Sequence, residues 1–126
     1  MDNEIKQKLD ELRDLMHERD VNPVMTLAAA AAGICNAQVW EVFAPGKSSK
    51  EMRHSRYLLW YTLRTSMAMT YAEIARITNE LGLEMTPDGI RKGIESASLW
   101  IRKEPLWKRR WVEMGRVYNN LNEETT

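Results

Sequence analysis

Helix-starting signals recur along this chain, and no strand signal stands between them. There is no sustained alternation of apolar and polar residues and no Asn-Gly or Asp-Gly turn between β-branched runs, so a half-buried strand has nothing to build on. The helical signals are specific. Asn3 to Asp20 carries Ile5, Leu9, Leu12 and Met16 at 4-3-4 spacing, one apolar stripe on a charged helix. Asn22-Pro23 supplies a cap and a proline at the first helical position. The helix it opens, through Val24, Leu27 and Ala28 to Ala32, is expected to stop at Gly33. Asn36 is expected to cap a short helix from Ala37 to Phe43, ended by Pro45-Gly46.

The same grammar continues to the C-terminus. Ser48 with Glu51 three residues on, and Thr70 with Glu73, both have the spacing of a capping box. The first opens a long helix with Met52, Leu59, Leu63 and Met67; the second opens a helix through Ile74 and Ile77. Asn79 to Met85, with Gly82, reads as a turn. Thr86-Pro87-Asp88 then combines a cap, a first-turn proline and an acid that suits the helix dipole. Ile90, Ile94, Ala97 and Ile101 form the apolar side of that helix. Pro105 restarts a last helix whose Trp107, Trp111, Met114, Tyr118 and Leu121 fall at 4-3-4-3 spacing, and Asn122 to Thr126 is expected to fray. The expected fold is all-α and one domain over 1–126: an amphipathic arm (1–20), a helix-turn-helix core (22–103) and a Trp-rich terminal helix (104–121).

Composition narrows the function classes. With 44% apolar and 29% charged residues the chain has the make-up of a globular domain, and 126 residues hold one core. The single cysteine, Cys35, excludes an internal disulfide and a cysteine-based metal cluster; between Ile34 and Asn36 it reads as a small buried hydrophobe. No run approaches the roughly 18 apolar residues of a membrane span. The stretch Val24 to Cys35 is too short and follows an acidic segment, so a cytoplasmic location is expected.

The chemistry of an enzyme is missing from the pattern. His17 and His54 share no metal-ligand spacing, and no Gly-x-x-x-x-Gly-Lys loop or Gly-x-Ser-x-Gly turn occurs. The pairs Asp10-Glu11 and Glu123-Glu124 fall on exposed faces or the tail. No catalytic residue, cofactor, metal or small-molecule substrate is expected. Trp107 and Trp111 lie within a longer apolar stripe, which points to core or interface packing and not to stacking on bases.

Net charge is zero, but it is unevenly placed. Residues 1–20 are acidic. Residues 47–64 carry Lys47, Lys50, Arg53, Arg56 and Arg64 against Glu51 alone, and residues 86–111 hold seven basic groups against Asp88, Glu95 and Glu104. If the fold joins these two segments, one face becomes positive. The stretch Thr70 to Arg102 has the parts of a helix-turn-helix: a first helix with small Ala72 and Ala75 beside Ile74, a turn at Gly82, and a second helix buried through Ile90, Ile94, Ala97 and Ile101. Early outward positions of the second helix, Asp88, Gly89, Arg91, Lys92, Glu95 and Ser96, are then left to meet base edges and phosphates, with Thr86 at its start. Lys47, Lys50, Arg53, His54 and Arg56 are the expected backbone or minor-groove contacts.

These elements resemble the C-terminal, box-reading domain of the bacterial replication initiator DnaA, which shares its helical arrangement with Trp repressor. The resemblance covers roughly residues 27–101. It runs from Leu27 to Phe43, through the basic loop Lys47 to Arg56, Arg56-Tyr57-Leu58-Leu59-Trp60-Tyr61-Thr62-Leu63 and Thr70-Tyr71-Ala72-Glu73-Ile74, to Ile90-x-x-Gly93-Ile94. It implies a minor-groove arginine at Arg53 or Arg56. The family's Asp-His-Thr-Thr signature falls on Thr86-Pro87-Asp88-Gly89, which does not reproduce it, and the preceding turn is longer. The expected function is sequence-specific duplex DNA binding in transcription regulation or replication control. The alternative is a helical assembly protein, such as a phage packaging subunit, with DNA contact incidental. The seams Ile5-Leu9-Leu12-Met16 and Trp107-Trp111-Met114-Tyr118 must bury themselves against each other or a second copy, and a homodimer is expected.

Overall fold

A computed structural model describes residues 23–125, which are helical with no strand. The expected arm, with Ile5, Leu9, Leu12 and Met16, lies outside the described residues, as do the Asn22 cap and Thr126. Five α-helices follow in order among the described residues: α1 (residues 23–34), α2 (Lys50–Thr65), α3 (Tyr71–Glu80), α4 (Pro87–Lys103) and α5 (Pro105–Thr125). A 3-10 turn, Val39–Glu41, lies between α1 and α2.

α1 buries Val24, Leu27, Ala28, Ala31 and Ala32, a stripe at helical spacing that continues to Cys35. It does not stop at Gly33. Asn36 takes the left-handed conformation (φ 61°), and the Ala37 and Asn36 amides return to the Ala32 and Gly33 carbonyls at 2.8 and 3.4 Å. This is a Schellman closure with Asn in the place often taken by Gly. Asn36 therefore ends one helix and does not begin the next, and the expected helix Ala37 to Phe43 contracts to the 3-10 turn.

α2 is capped one residue later than its sequence suggests. Ser49 Oγ, and not that of Ser48, accepts the Met52 amide at 3.2 Å. Glu51 is consequently an exposed first-turn acid with no capping role. The expected Thr70–Glu73 box is present, with the Glu73 amide donating to Thr70 Oγ1 at 3.1 Å. Thr86 likewise caps α4 through the Gly89 amide at 3.0 Å, with Pro87 next. Between α3 and α4, Gly82 (φ 112°) closes a second Schellman turn onto Thr78 and Asn79. Asn79 clamps this turn: its Nδ2 donates to the Ala75 and Met85 carbonyls, and Oδ1 accepts the Met85 amide.

α2 is the central helix, burying Met52, Leu58, Leu59, Trp60 and Leu63. Its buried hydroxyls, Ser55 and Thr62, bond to carbonyls one turn back, so they add no unsatisfied group. α4 crosses α2 antiparallel: Gly93 lies on Trp60 and Tyr57, and Trp100 lies on Tyr57 and His54. After the Glu104-Pro105 elbow α5 runs back parallel to α2. Trp107 meets His54, Trp111 stands edge-on to Tyr61 at 4.8 Å, and Tyr118 Oη donates to the Ser66 carbonyl at 2.9 Å. Trp107 and Met114 are buried. The aromatic seam assigned to an oligomer interface thus packs at least partly within the chain, against α2 and Trp100 of α4. The terminal residues Asn122 to Thr125, expected to fray, continue α5.

Gly93 sets the distance between α2 and α4. A Cβ there would stand 2.8 Å from carbons of both Trp60 and Tyr57, closer than packed carbons approach. Gly93→Ala is expected to lower stability by about 1–3 kcal/mol through overpacking, read as a lower urea midpoint with unchanged helicity.

Candidate nucleic-acid interface

The antiparallel crossing brings Arg53 of one basic segment and Lys92 of the other to the same cleft. A cleft of about 350 Å³ runs between the start of α2 and α4, lined by Ser48, Arg53, Arg56, Tyr57, Trp60, Met85, Gly89, Lys92, Gly93 and Ser96. Arg53 and Lys92 are exposed on its opposite sides. Gly89 and Ser96, expected on the outward face of α4, also line it. Lys47 is exposed in the loop before α2.

Four expected positions change character. The basic loop ends at Ser49, so Lys50, Arg53, His54 and Arg56 all lie in α2. Lys50 lines a different cleft, with His54, Trp107 and Arg110. Of the two arginines left open as the minor-groove residue, only Arg53 remains at the surface. Arg56 is 7% exposed. Its Nε donates to the Val42 carbonyl at 2.6 Å, and Nη2 to the Glu41 and Ala44 carbonyls at 3.2 and 2.7 Å. These carbonyls close the 3-10 turn, and a planar guanidinium is shaped to satisfy them together. Arg56 is a structural brace whose donors are taken by backbone carbonyls.

His54 is also partly withdrawn from solvent. It is half-buried, with the rings of Trp100 and Trp107 each 5.1 Å away and Arg110 Nη1 3.3 Å from its Nδ1. Burial lowers its pKa, and the nearby charges of Arg110, Lys50 and Arg53 lower it further, against a smaller opposing effect from Glu51. The imidazole is therefore an uncharged member of an aromatic cluster. Arg110 lies over the Trp107 ring at 4.9 Å, and its Nε is buried without a partner. No local pattern announces this cluster, because His54 lies more than forty residues before Trp100, Trp107 and Arg110.

On α4 the expected readers are exposed or half-exposed but are bound to one another. Arg91 donates from Nη2 to Asp88 at 2.7 Å and from Nη1 to Glu95 at 2.7 Å. Lys92 Nζ is 3.3 Å from the second Asp88 oxygen. Hydrogen bonds donated by Arg91 hold the Asp88 carboxyl below its usual range, and the same bonds, accepted by Asp88 and Glu95, raise Arg91. Asp88, Arg91, Lys92 and Glu95 form a neutral quartet on a solvent-facing surface, where such pairs are weak and exchangeable. Thr86, taken as a possible DNA contact, spends its hydroxyl on capping α4. Ala75 is buried as a helix-packing residue should be, whereas Ala72 is exposed.

Two outcomes follow from these environments. Arg56→Lys cannot satisfy three divergent carbonyls and is expected to cost about 3 kcal/mol, since hydrogen bonds to a charged group contribute roughly 1.5–3 kcal/mol each; chemical denaturation reads it. For His54, the folded state prefers the neutral ring, so the unfolded chain takes up its proton first, near its ordinary pKa of about 6.5. Stability contributed by His54 is complete above that pH and declines on acidification until the lowered folded pKa is passed. Urea unfolding between about pH 5 and 8 should show this decline, and His54→Gln should flatten it; an identical pH dependence in the variant would refute the assignment.

No protein family matches this chain, and no curated protein or solved structure shows significant similarity to it.

Proposed function

We propose that the protein binds duplex DNA in a sequence-specific manner, in transcription regulation or replication control, with α3 and α4 as a helix-turn-helix. The observation that carries this is the shared cleft of Arg53 and Lys92 beside the solvent-facing side of α4. A basic group from the supporting helix stands next to the helix offered to the major groove, the pairing of positioning and reading contacts that such proteins use. The partial likeness of residues 27–101 to the DnaA C-terminal domain adds the same order of elements. Arg91 is held at Asp88 and Glu95, so it exchanges those carboxylates for a base edge when it engages a site.

Binding to a labelled random-sequence duplex at rising salt tests the proposal. Retention should fall steeply with salt, because each contacted phosphate releases about 0.9 counterion. Arg53→Gln should flatten the salt dependence by about one on all sequences. On the best site selected from a random pool, Arg91→Ala should cost about 1–3 kcal/mol and relax preference at one base pair. Absence of salt-dependent retention would remove the proposal. An oligomeric assembly role is the second reading, favoured by the neutral quartet on α4 and by Trp40, which is 72% exposed on the 3-10 turn. Sedimentation distinguishes it by an assembly that forms without DNA and is lost in Trp40→Ser.

A further inference from the structure

The dipeptide Arg91-Lys92 recurs as Arg102-Lys103 in the same helix. Eleven residues are three helical turns plus about 20°, so the two pairs share one face of α4 and are separated by about 16 Å along it. Lys92, Lys103 and Arg102 are all exposed. Between them the same side presents Glu95 and Leu99, both exposed.

The pairs are alike in sequence and opposite in electrostatic state. The first is neutralised by Asp88 and Glu95. The second has no carboxylate partner among the described residues: Arg102 Nε reaches only the Ser98 carbonyl of its own helix, at 3.4 Å. Just past the elbow, Lys108 and Arg109 of α5 are exposed as well. The uncommitted positive charge therefore gathers at the C-terminal end of α4, away from the end at which sequence motifs locate base reading.

We propose that Arg102 and Lys103 anchor one phosphate strand of a duplex whose major groove α4 crosses, with Arg91 and Lys92 toward the opposite strand. The proposal rests on the DNA-binding reading and deepens it. A B-form major groove is about 12 Å wide between its phosphate rims. Cationic pairs about 16 Å apart on one helical face therefore reach both rims, long side chains covering the remainder. Strong, unpaired cations anchor, and exchangeable, paired ones read.

Cations in the last turn also complement the helix dipole, and the test separates that role from phosphate binding. Anisotropy of a labelled random duplex of about 20 base pairs is measured between about 50 and 200 mM salt for wild type, Lys103→Gln, the double variant Arg102→Gln/Lys103→Gln, and Arg116→Gln. Arg116 is an exposed arginine paired with Glu113 on α5 and controls for net charge. Thermal unfolding of each protein is recorded alongside. The slope of log affinity against log salt should fall by about one in Lys103→Gln and about two in the double variant, and stay unchanged in Arg116→Gln. Wild-type binding with an unchanged slope in the double variant overturns this inference and leaves the DNA reading standing, whatever happens to Tm. A wild-type protein without salt-dependent binding overturns both.

Discussion

The approach of α4 to α2 at Gly93 is the constraint on which the other contacts depend. The Trp60 and Tyr57 rings occupy the space a side chain would take, and the two helices meet with aromatic faces against bare backbone. From this crossing follow the contact of Trp100 with His54 and the position of the elbow at Glu104. The return of α5 along α2 follows as well. The Arg53–Lys92 cleft is the solvent-facing edge of the same crossing. A change in interhelical distance would therefore move core and surface together, since close-packed interiors transmit displacement and do not absorb it.

Arginine serves three different purposes in this small fold, and burial decides which. Arg56 is inside, where a guanidinium is tolerable only because backbone carbonyls take its donors. Arg64 latches the α2–α3 connection, donating to the Met69 carbonyl at 3.0 Å and lying 4.7 Å over the Tyr71 ring. That connection carries Ala68 at φ 54°, a conformation that disfavours a Cβ, so the latch holds a strained turn. Arg53 and Arg102 are among those left facing water. A sequence count of basic residues treats all of these as equal, although Arg56 and Arg64 are spent inside the fold.

Electrostatics on α4 divides along the helix. Near its start, acids three and four residues from Arg91 and Lys92 satisfy the local pairing rule for helices and cancel the field. Near its end no acid occupies those offsets on the exposed face, and Arg102 and Lys103 are left without a carboxylate partner among the described residues. Uncancelled charge acts at longer range than paired charge, so the two ends of α4 differ in field as well as in pairing.

The sequence by itself determined the class of fold and most helix boundaries. Caps such as Thr70, Thr86 and Pro105 act within four residues, and apolar periodicity records the buried side of each helix. It misplaced the boundary wherever two adjacent residues carry the same competence, as at Ser48 and Ser49, and wherever Asn serves either end of a helix, as at Asn36. Only the tertiary structure decided what each charged or aromatic side chain meets. Arg56 and Arg53 are indistinguishable in composition and three residues apart, yet one faces carbonyls of the 3-10 turn and the other faces solvent. The seam from Trp107 to Tyr118 announced that it would be buried but not by what, and α2 and α4 of the same chain meet part of it. Local hydrogen bonding is written in neighbouring residues, whereas burial and electrostatic neighbourhood depend on how distant segments cross, which here is fixed by Gly93 and the rings against it.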